Sequence, residues 1–201
     1  HEFEQPTNSF YADTTENLAF FLGREPNLQW QAFGQAMFEL IERAGITRII
    51  FIGSFGGTVP HTREPRMYGS VSHPRLRSGF TAHGVKLSDY SGPTGFATWM
   101  LAESVRRNVD MLSLVAEIPG YLQGVNPLSI EAVTRRLASI LNMPLEIAKL
   151  REASNEWEVQ VTEAVEKDQD LAATVKKLEE KYDNEVIGVI TVVDDDEEDH
   201  E

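Results

Sequence analysis

The feature that most narrows what this chain can fold into is the unbroken apolar run Ile49-Ile50-Phe51-Ile52, together with the glycines just beyond it. A strand with one face in water alternates apolar and polar residues. A β-branched run without alternation suits a strand covered on both faces, in a sheet with helices above and below. Gly53, Gly56 and Gly57 come next, then Pro60-His61-Thr62-Arg63. Glycine reaches backbone angles closed to other residues and lets a ligand or another chain approach, so the strand is expected to end at Ile52 and open into a loop. In open α/β sheets ligands bind beyond the carboxyl ends of the strands, where this loop would lie.

The rest of the chain reads as support for that strand. Residues 18–22 are a short apolar run of strand character, closed by Gly23 and Pro26-Asn27, while residues 1–16 show no period. Trp30, Phe33, Met37, Leu40, Ile41 and Ala44 recur at spacings of three and four, which predicts a helix with Asn27 as N-cap and Gly45 as its stop. A second helix-then-strand unit comes later: Gly92-Pro93-Thr94-Gly95 opens a helix bearing Phe96, Trp99, Met100 and Val105, and residues 111–118 form its strand. Alternating helices and apolar strands imply a layered α/β sheet with crossover connections. Residues 66–89, between the units, are expected to hold one or two shorter strands around Met67, Val71 and Val85.

Beyond Asn126-Pro127 the pattern becomes helical. Ile130, Val133, Leu137, Ile140 and Leu141 mark one helix, stopped near Asn142 and Pro144. Leu150, Trp157, Val161 and Val165 mark a second, and Leu171, Val175, Leu178 and Tyr182 a third, the last two reading as a helical hairpin. Trp157 and Val161 lie on a narrow apolar stripe in a charged pair, which serves equally as a packed outer layer or as an interface between subunits. Residues 186–193, Val-Ile-Gly-Val-Ile-Thr-Val-Val, are strand-like and capped by acids, and are expected to add to a sheet, the chain's own or a neighbour's. The expected division is an α/β domain over residues 1–144, its hairpin extension over 145–184, and a strand-like segment with an acidic tail over 185–201.

Charge and composition exclude several functions. The net charge is −14, but residues 194–201 carry seven acids; removing them from 32 leaves 25 acids against 18 bases, a net of −7. An acidic body with an acidic end argues against general binding to nucleic acid or to an anionic membrane surface. No apolar run approaches the ~18 residues of a membrane span. The chain has no cysteine, which removes disulfides, thiolate metal sites and a cysteine nucleophile and fits a reducing cytoplasm. His1-Glu2-Phe3-Glu4 shows neither an initiating methionine nor a signal pattern, so a fragment or a processed form is expected.

Within this acidic chain, residues 61–80 form a basic island, with Arg63, Arg66, Arg75 and Arg77 against Glu64. His61, Thr62 and Arg63 offer a proton carrier, a hydroxyl donor and a planar fork for carboxylate or phosphate. Equally, His61 and Arg63 could fasten the loop to nearby carbonyls or to Glu117. Gly92 and Thr94, at a helix start, could form the other half of an anion pocket or simply a tight turn and a cap. Glu117, at a strand end, could act as a base, orient a histidine, or pair with an arginine of the island. His61 and Glu117 are the weak catalytic candidates. Gly53-Ser54-Phe55-Gly56 lacks the glycine spacing of a nucleophile elbow, and no pattern suggests a metal, a cofactor or a nucleotide loop.

Val59-Pro60-His61-Thr62-Arg63, Tyr90-Ser91-Gly92-Pro93-Thr94-Gly95, Glu117-Ile118-Pro119-Gly120-Tyr121-Leu122 and Lys181-Tyr182-Asp183 resemble, in order and spacing, the family of the second proteasome assembly chaperone and its bacterial and archaeal relatives. The resemblance runs from about Leu18 to Asp183. It implies a three-layer α/β/α fold with a mixed sheet like that of phosphorylases and related hydrolases, a C-terminal helical hairpin, homo-oligomers, a proteasome-like partner, and Tyr121 as a further site residue. Two features depart from the family. Its opening strand and helix with a Gly-rich turn have no counterpart before Glu16. The chain ends Asp199-His200-Glu201 rather than in the hydrophobic-tyrosine tail of ring-docking chaperones, which counts against docking by such a tail. The leading expectation is a non-catalytic homo-oligomeric assembly chaperone or scaffold with Trp157 and Val161 at its interface. The alternative is a small-anion-binding enzyme, phosphorylase-, hydrolase- or carboxylate-amine-ligase-like, in which His61, Thr62, Arg63, Gly92, Thr94, Glu117 and Tyr121 line the crevice.

Overall fold

Periodicity becomes architecture through two pleated strands whose alternate side chains feed two separate cores. A computed structural model describes residues 7–89 and 95–197. Strands β1 (Ser9–Asp13) and β2 (Leu18–Leu22) form an antiparallel hairpin, followed by helix α1 (Trp30–Arg43) and strand β3 (Arg48–Gly57). Strand β4 (Met67–Val71), short helix α2 (Arg77–Thr81), strand β5 (Lys86–Leu87), helix α3 (Phe96–Arg107) and strand β6 (Asp110–Pro119) come next. Helices α4 (Pro127–Leu141), α5 (Ala148–Glu166) and α6 (Gln169–Glu197) complete the chain. The main sheet is mixed, in the order β3-β6-β4-β5, with β6 parallel to β3 and antiparallel to β4.

On β6, Met111 turns to one face and joins Phe38 and Ile41 of α1, Met100 of α3 and Ile49 and Phe51 of β3. Leu112, Leu114 and Ala116 turn to the other and pack with Met67, Phe80, Val85, and Ala132 and Val133 of α4. This period of two produces a three-layer α/β/α arrangement, with the α5–α6 pair beyond α4.

Helix ends arise from local chemistry. Gly45, at φ +66°, and Ile46 close α1 by Gly45 N–H to Glu42 C=O (3.1 Å) and Ile46 N–H to Ile41 C=O (2.9 Å), a Schellman motif. The residue at the α1 N-cap is Gln29 rather than the expected Asn27. The Asn126 carboxamide caps α4 by accepting the Ser129 N–H at 2.9 Å.

Three expectations need correction. β3 does not stop at Ile52 but continues to Gly57, because β6 offers partners in register through Gly57↔Pro119; none of Gly53, Gly56 and Gly57 adopts positive φ. β3 is also not covered on both faces, since Ile52 is 48% exposed, and among the described residues it lies at the sheet edge. Residues 186–193 are not a strand: α6 runs through them to Glu197. Each residue added to an existing helix gains a backbone hydrogen bond without needing a partner strand, and β-branched residues and one glycine oppose this only weakly. In addition, residues 9–13, which show no period, form β1 because β2 pairs with them.

Leu114 is fully buried at the centre of β6. Leu114→Ala is expected to cost about 3 kcal/mol in denaturant unfolding, and a loss below about 1 kcal/mol would contradict a close-packed centre there.

Candidate functional site

Past Gly57 the chain must leave the sheet, and a buried carboxylate organises the exit. Glu117, 4% exposed near the end of β6, accepts the N–H groups of Thr58 (2.7 Å) and Val59 (3.2 Å) and the Thr58 hydroxyl (3.3 Å). Its other oxygen takes Arg66 Nη1 at 3.2 Å. A Cβ on Gly57 would run into Glu117 Oε1, so here glycine makes room for the carboxylate. The loop thus begins with two backbone donors and a hydroxyl satisfied and a buried charge matched by a nearly buried guanidinium.

His61 is 1% exposed and pins three elements together. Its backbone N–H donates to the Tyr121 hydroxyl oxygen (2.9 Å), its Nδ1 lies 2.7 Å from the same oxygen, and its Nε2 lies 3.1 Å from Thr162 Oγ1 on α5. The Thr162 hydroxyl donates to the Glu158 carbonyl (2.9 Å), so it accepts from Nε2–H; the Tyr121 hydroxyl then donates to Nδ1. Burial favours the neutral imidazole, and this pattern then places its proton on Nε2. Burial pushes its pKa below the usual histidine value, opposed in part by the charge of Glu179. Burial also raises the Tyr121 phenol.

The next residues reach α6. The Thr62 hydroxyl donates to Glu179. Arg63 grips Asp183 with two parallel bonds, Nε to Oδ1 and Nη2 to Oδ2, both 2.8 Å, and lies 3.6 Å from Glu179. That fork holds the Asp183 carboxyl below its ordinary range. Arg66 donates to Glu185 at 2.6 Å and stacks 4.4 Å over the Tyr182 ring, whose hydroxyl donates to the Glu64 carbonyl at 2.9 Å. The arrangement is a polar clasp that ties the loop after β3 to the hairpin.

The structure brings His61, Thr62, Arg63, Glu117 and Tyr121 into one cluster. Gly92 and Thr94 lie outside the described residues; α3 begins at Phe96 with Gly95 at its N-cap. The basic island is largely neutralised, since Arg63 pairs with Asp183, Arg66 with Glu117 and Glu185, and Arg75 with Asp110. Trp157 and Val161 are half-buried on α5, beside Pro119 and Leu122 in a cavity of about 80 Å³. Thr162, Glu179, Asp183 and Glu185 complete the cluster. Sequence reasoning misses them, because they lie among charged residues that read as a solvated face; Tyr182-Asp183, set beside the apolar stripe, is the available signal. Among the described residues no group of three or more His, Asp or Glu is placed to hold a metal ion, and no helix is long and apolar enough to cross a membrane.

Comparison with known proteins bears on the family and the fold. Residues 2–165 match the model of the PAC2 family, and the chain belongs to that family. Among solved structures it is similar to the Mycobacterium tuberculosis protein of unknown function Rv2714, at 25% identity and a TM-score of 0.81 over 94% of this chain and 65% of that one. It therefore spans about two thirds of that relative's length. It is also similar to the M. tuberculosis proteasome-assembly chaperone homologue Rv2125, at 25% identity and a TM-score of 0.73 over 87% of this chain and 75% of that one. Pyrococcus furiosus PbaA, an archaeal homologue of proteasome-assembly chaperone, shares the fold at 16% identity and a TM-score of 0.64, over 89% of this chain and 73% of that one. No curated protein matches the chain.

The strength of the clasp depends on pH and on charge balance. Histidine in the unfolded chain protonates near pH 6.5, whereas buried His61 resists protonation, so the unfolded state binds the extra proton and stability falls as pH drops below about 6.5. Melting temperature between about pH 7.5 and 5.5 should fall more steeply in the wild type than in His61→Gln, and equal slopes would contradict a buried neutral imidazole. Arg66→Ala strands the Glu117 carboxylate and should cost about 3 kcal/mol in equilibrium unfolding. A cost below about 1 kcal/mol would reduce the pair to an ordinary surface contact.

Proposed function

We propose that this chain is a cytoplasmic, non-catalytic, chaperone-like scaffold that acts as a homo-oligomer on a proteasome-related protein partner. The observation that carries the reading is the internal engagement of the candidate chemistry. Both nitrogens of His61 are occupied by hydroxyl groups, Arg63 is clamped by Asp183, and Glu117 is filled by two N–H groups, a hydroxyl and Arg66. Groups held in this way fix a loop against a hairpin, and a rigid presented surface is what an assembly factor requires. The partner class comes from the similar structures, which include homologues of proteasome-assembly chaperones. No observation favours a small-anion-binding or ligase-like enzyme.

The proposed interface between copies centres on Trp157 and Val161. Val125, 75% exposed, borders the same cavity as Trp157 and Val161. A second copy covering this surface would remove it from water.

Native mass spectrometry of the chain mixed with 20S proteasome α and β subunits should show a complex with assembly intermediates that is absent from the mature particle. Binding to neither, with an unchanged assembly rate, would overturn the reading. Sedimentation should separately show an oligomer that dissociates in Trp157→Asp while circular dichroism keeps its helical signal. A monomeric wild type at micromolar concentration would contradict the interface.

A further inference from the structure

The chain reverses between α5 and α6 with little to enforce the turn. α5 ends at Glu166 and α6 begins at Gln169, so only Lys167 and Asp168 lie between them. Neither is glycine or proline, neither has a positive φ, and Lys167 keeps right-handed helical angles, φ −79° and ψ −12°. The break rests on the Asp168 side chain, which accepts the N–H groups of Asp170 and Leu171, both at 3.1 Å, as a helix cap. A straight helix would give those donors ordinary carbonyl partners four residues back, and lysine and aspartate are both tolerated in a helix interior.

What α6 grips is equally indifferent to the copy that supplies it. Among the described residues, the hydrogen bonds and ion pairs that α6 makes outside itself fall on residues 62–66. Thr62 bonds Glu179, Arg63 pairs with Asp183 and Glu179, Arg66 pairs with Glu185, and the Tyr182 hydroxyl donates to the Glu64 carbonyl. A second copy carries the same acids at the same helical spacing, so it is complementary to this loop by identity. The inner half of the clasp, Glu117 with Arg66 and His61 with Thr162 of α5, involves no residue of α6 and stays within each chain in either case.

We propose that α5 and α6 straighten through Lys167 and Asp168 into one helix and that two copies exchange α6, each closing the other's clasp. The two long helices lie antiparallel about a twofold axis at the former turn, and α6 of each copy packs on α5 of the other as it packs on its own here. Exchange of an identical element is a low-cost route to a dimer, because every contact is remade and only the hinge changes. A helix from Ala148 to Glu197 is about 75 Å long, which sets the two bodies at opposite ends and leaves Trp157 and Val161 uncovered. The exchange rests on the proposed function only in that copies associate, and the two contacts fail separately.

The test is charge reversal in the whole chain. Arg63→Asp and Asp183→Arg each set like charges across the clasp of a single chain, whereas an exchanged pair with one chain of each kind has opposite charges in both of its clasps. Unfolded together and refolded, the two variants should form a one-to-one heterodimer in native mass spectrometry. Hydrogen exchange over residues 169–185 should then be at least about tenfold slower than in either variant alone. A mixture that exchanges as fast as its components would overturn the proposal. In the otherwise native chain, Trp157→Asp should leave a dimer, and inserting Gly-Ser-Gly-Ser between Lys167 and Asp168 should turn that dimer into a monomer with its helical circular dichroism kept, since a flexible turn lets α6 reach its own loop. A monomer in Trp157→Asp without the insertion would overturn the exchange while leaving the α5 contact standing.

Discussion

The buried carboxylate of Glu117 is the constraint on which the rest of the site depends. A charge at 4% exposure is tolerated only when it is neutralised and its lone pairs are filled, and this one meets both conditions with Thr58, Val59 and Arg66. Those contacts fix how the chain leaves β3, which sets where His61 enters the interior and where Arg63 meets α6. Arg66 carries the same charge balance outward to Tyr182 and Glu185. One acid at a strand end thus determines the position of a loop and, through it, of two helices.

The hairpin is held to the body by a division of labour. Val165 and Val175 are buried on α5 and α6, while the attachment to the loop is mainly polar and directional. Apolar contact is tolerant of small sliding; a bidentate Arg63–Asp183 pair and a doubly bonded imidazole are not. The clasp therefore sets the register of the hairpin, and the exposed apolar residues of α5 are presented in a fixed place. That is the physical link between the site and the assembly function proposed for the chain.

Much of this is legible in the sequence, and the failures have physical causes. The stripes through Phe33, Met37 and Ile41, and through Ile130 and Val133, place α1 and α4 because their period is a property of the helix itself. The end of β3 is misplaced because glycines loosen a chain locally, whereas strand pairing with β6 through Gly57 is a tertiary effect. Residues 186–193 read as a strand because β-branched residues fit pleated surfaces, yet continuation of α6 needs no partner. His61, Thr62, Arg63, Glu117 and Tyr121 stand out together, but Thr162 and Glu179 come from helices some 100 to 120 positions beyond the loop and carry no local signal, and Asp183 is marked only by its place in Lys181-Tyr182-Asp183.

A double-substitution cycle across Arg63 and Asp183, read by native-state hydrogen exchange of α5 and α6, tests most directly whether this site is a clasp. If it is, Arg63→Ala and Asp183→Ala each speed exchange in the helices, and the double variant is hardly faster than either alone. Independent, additive effects, or helices whose exchange ignores both substitutions, would contradict the account and leave Arg63 free for a ligand.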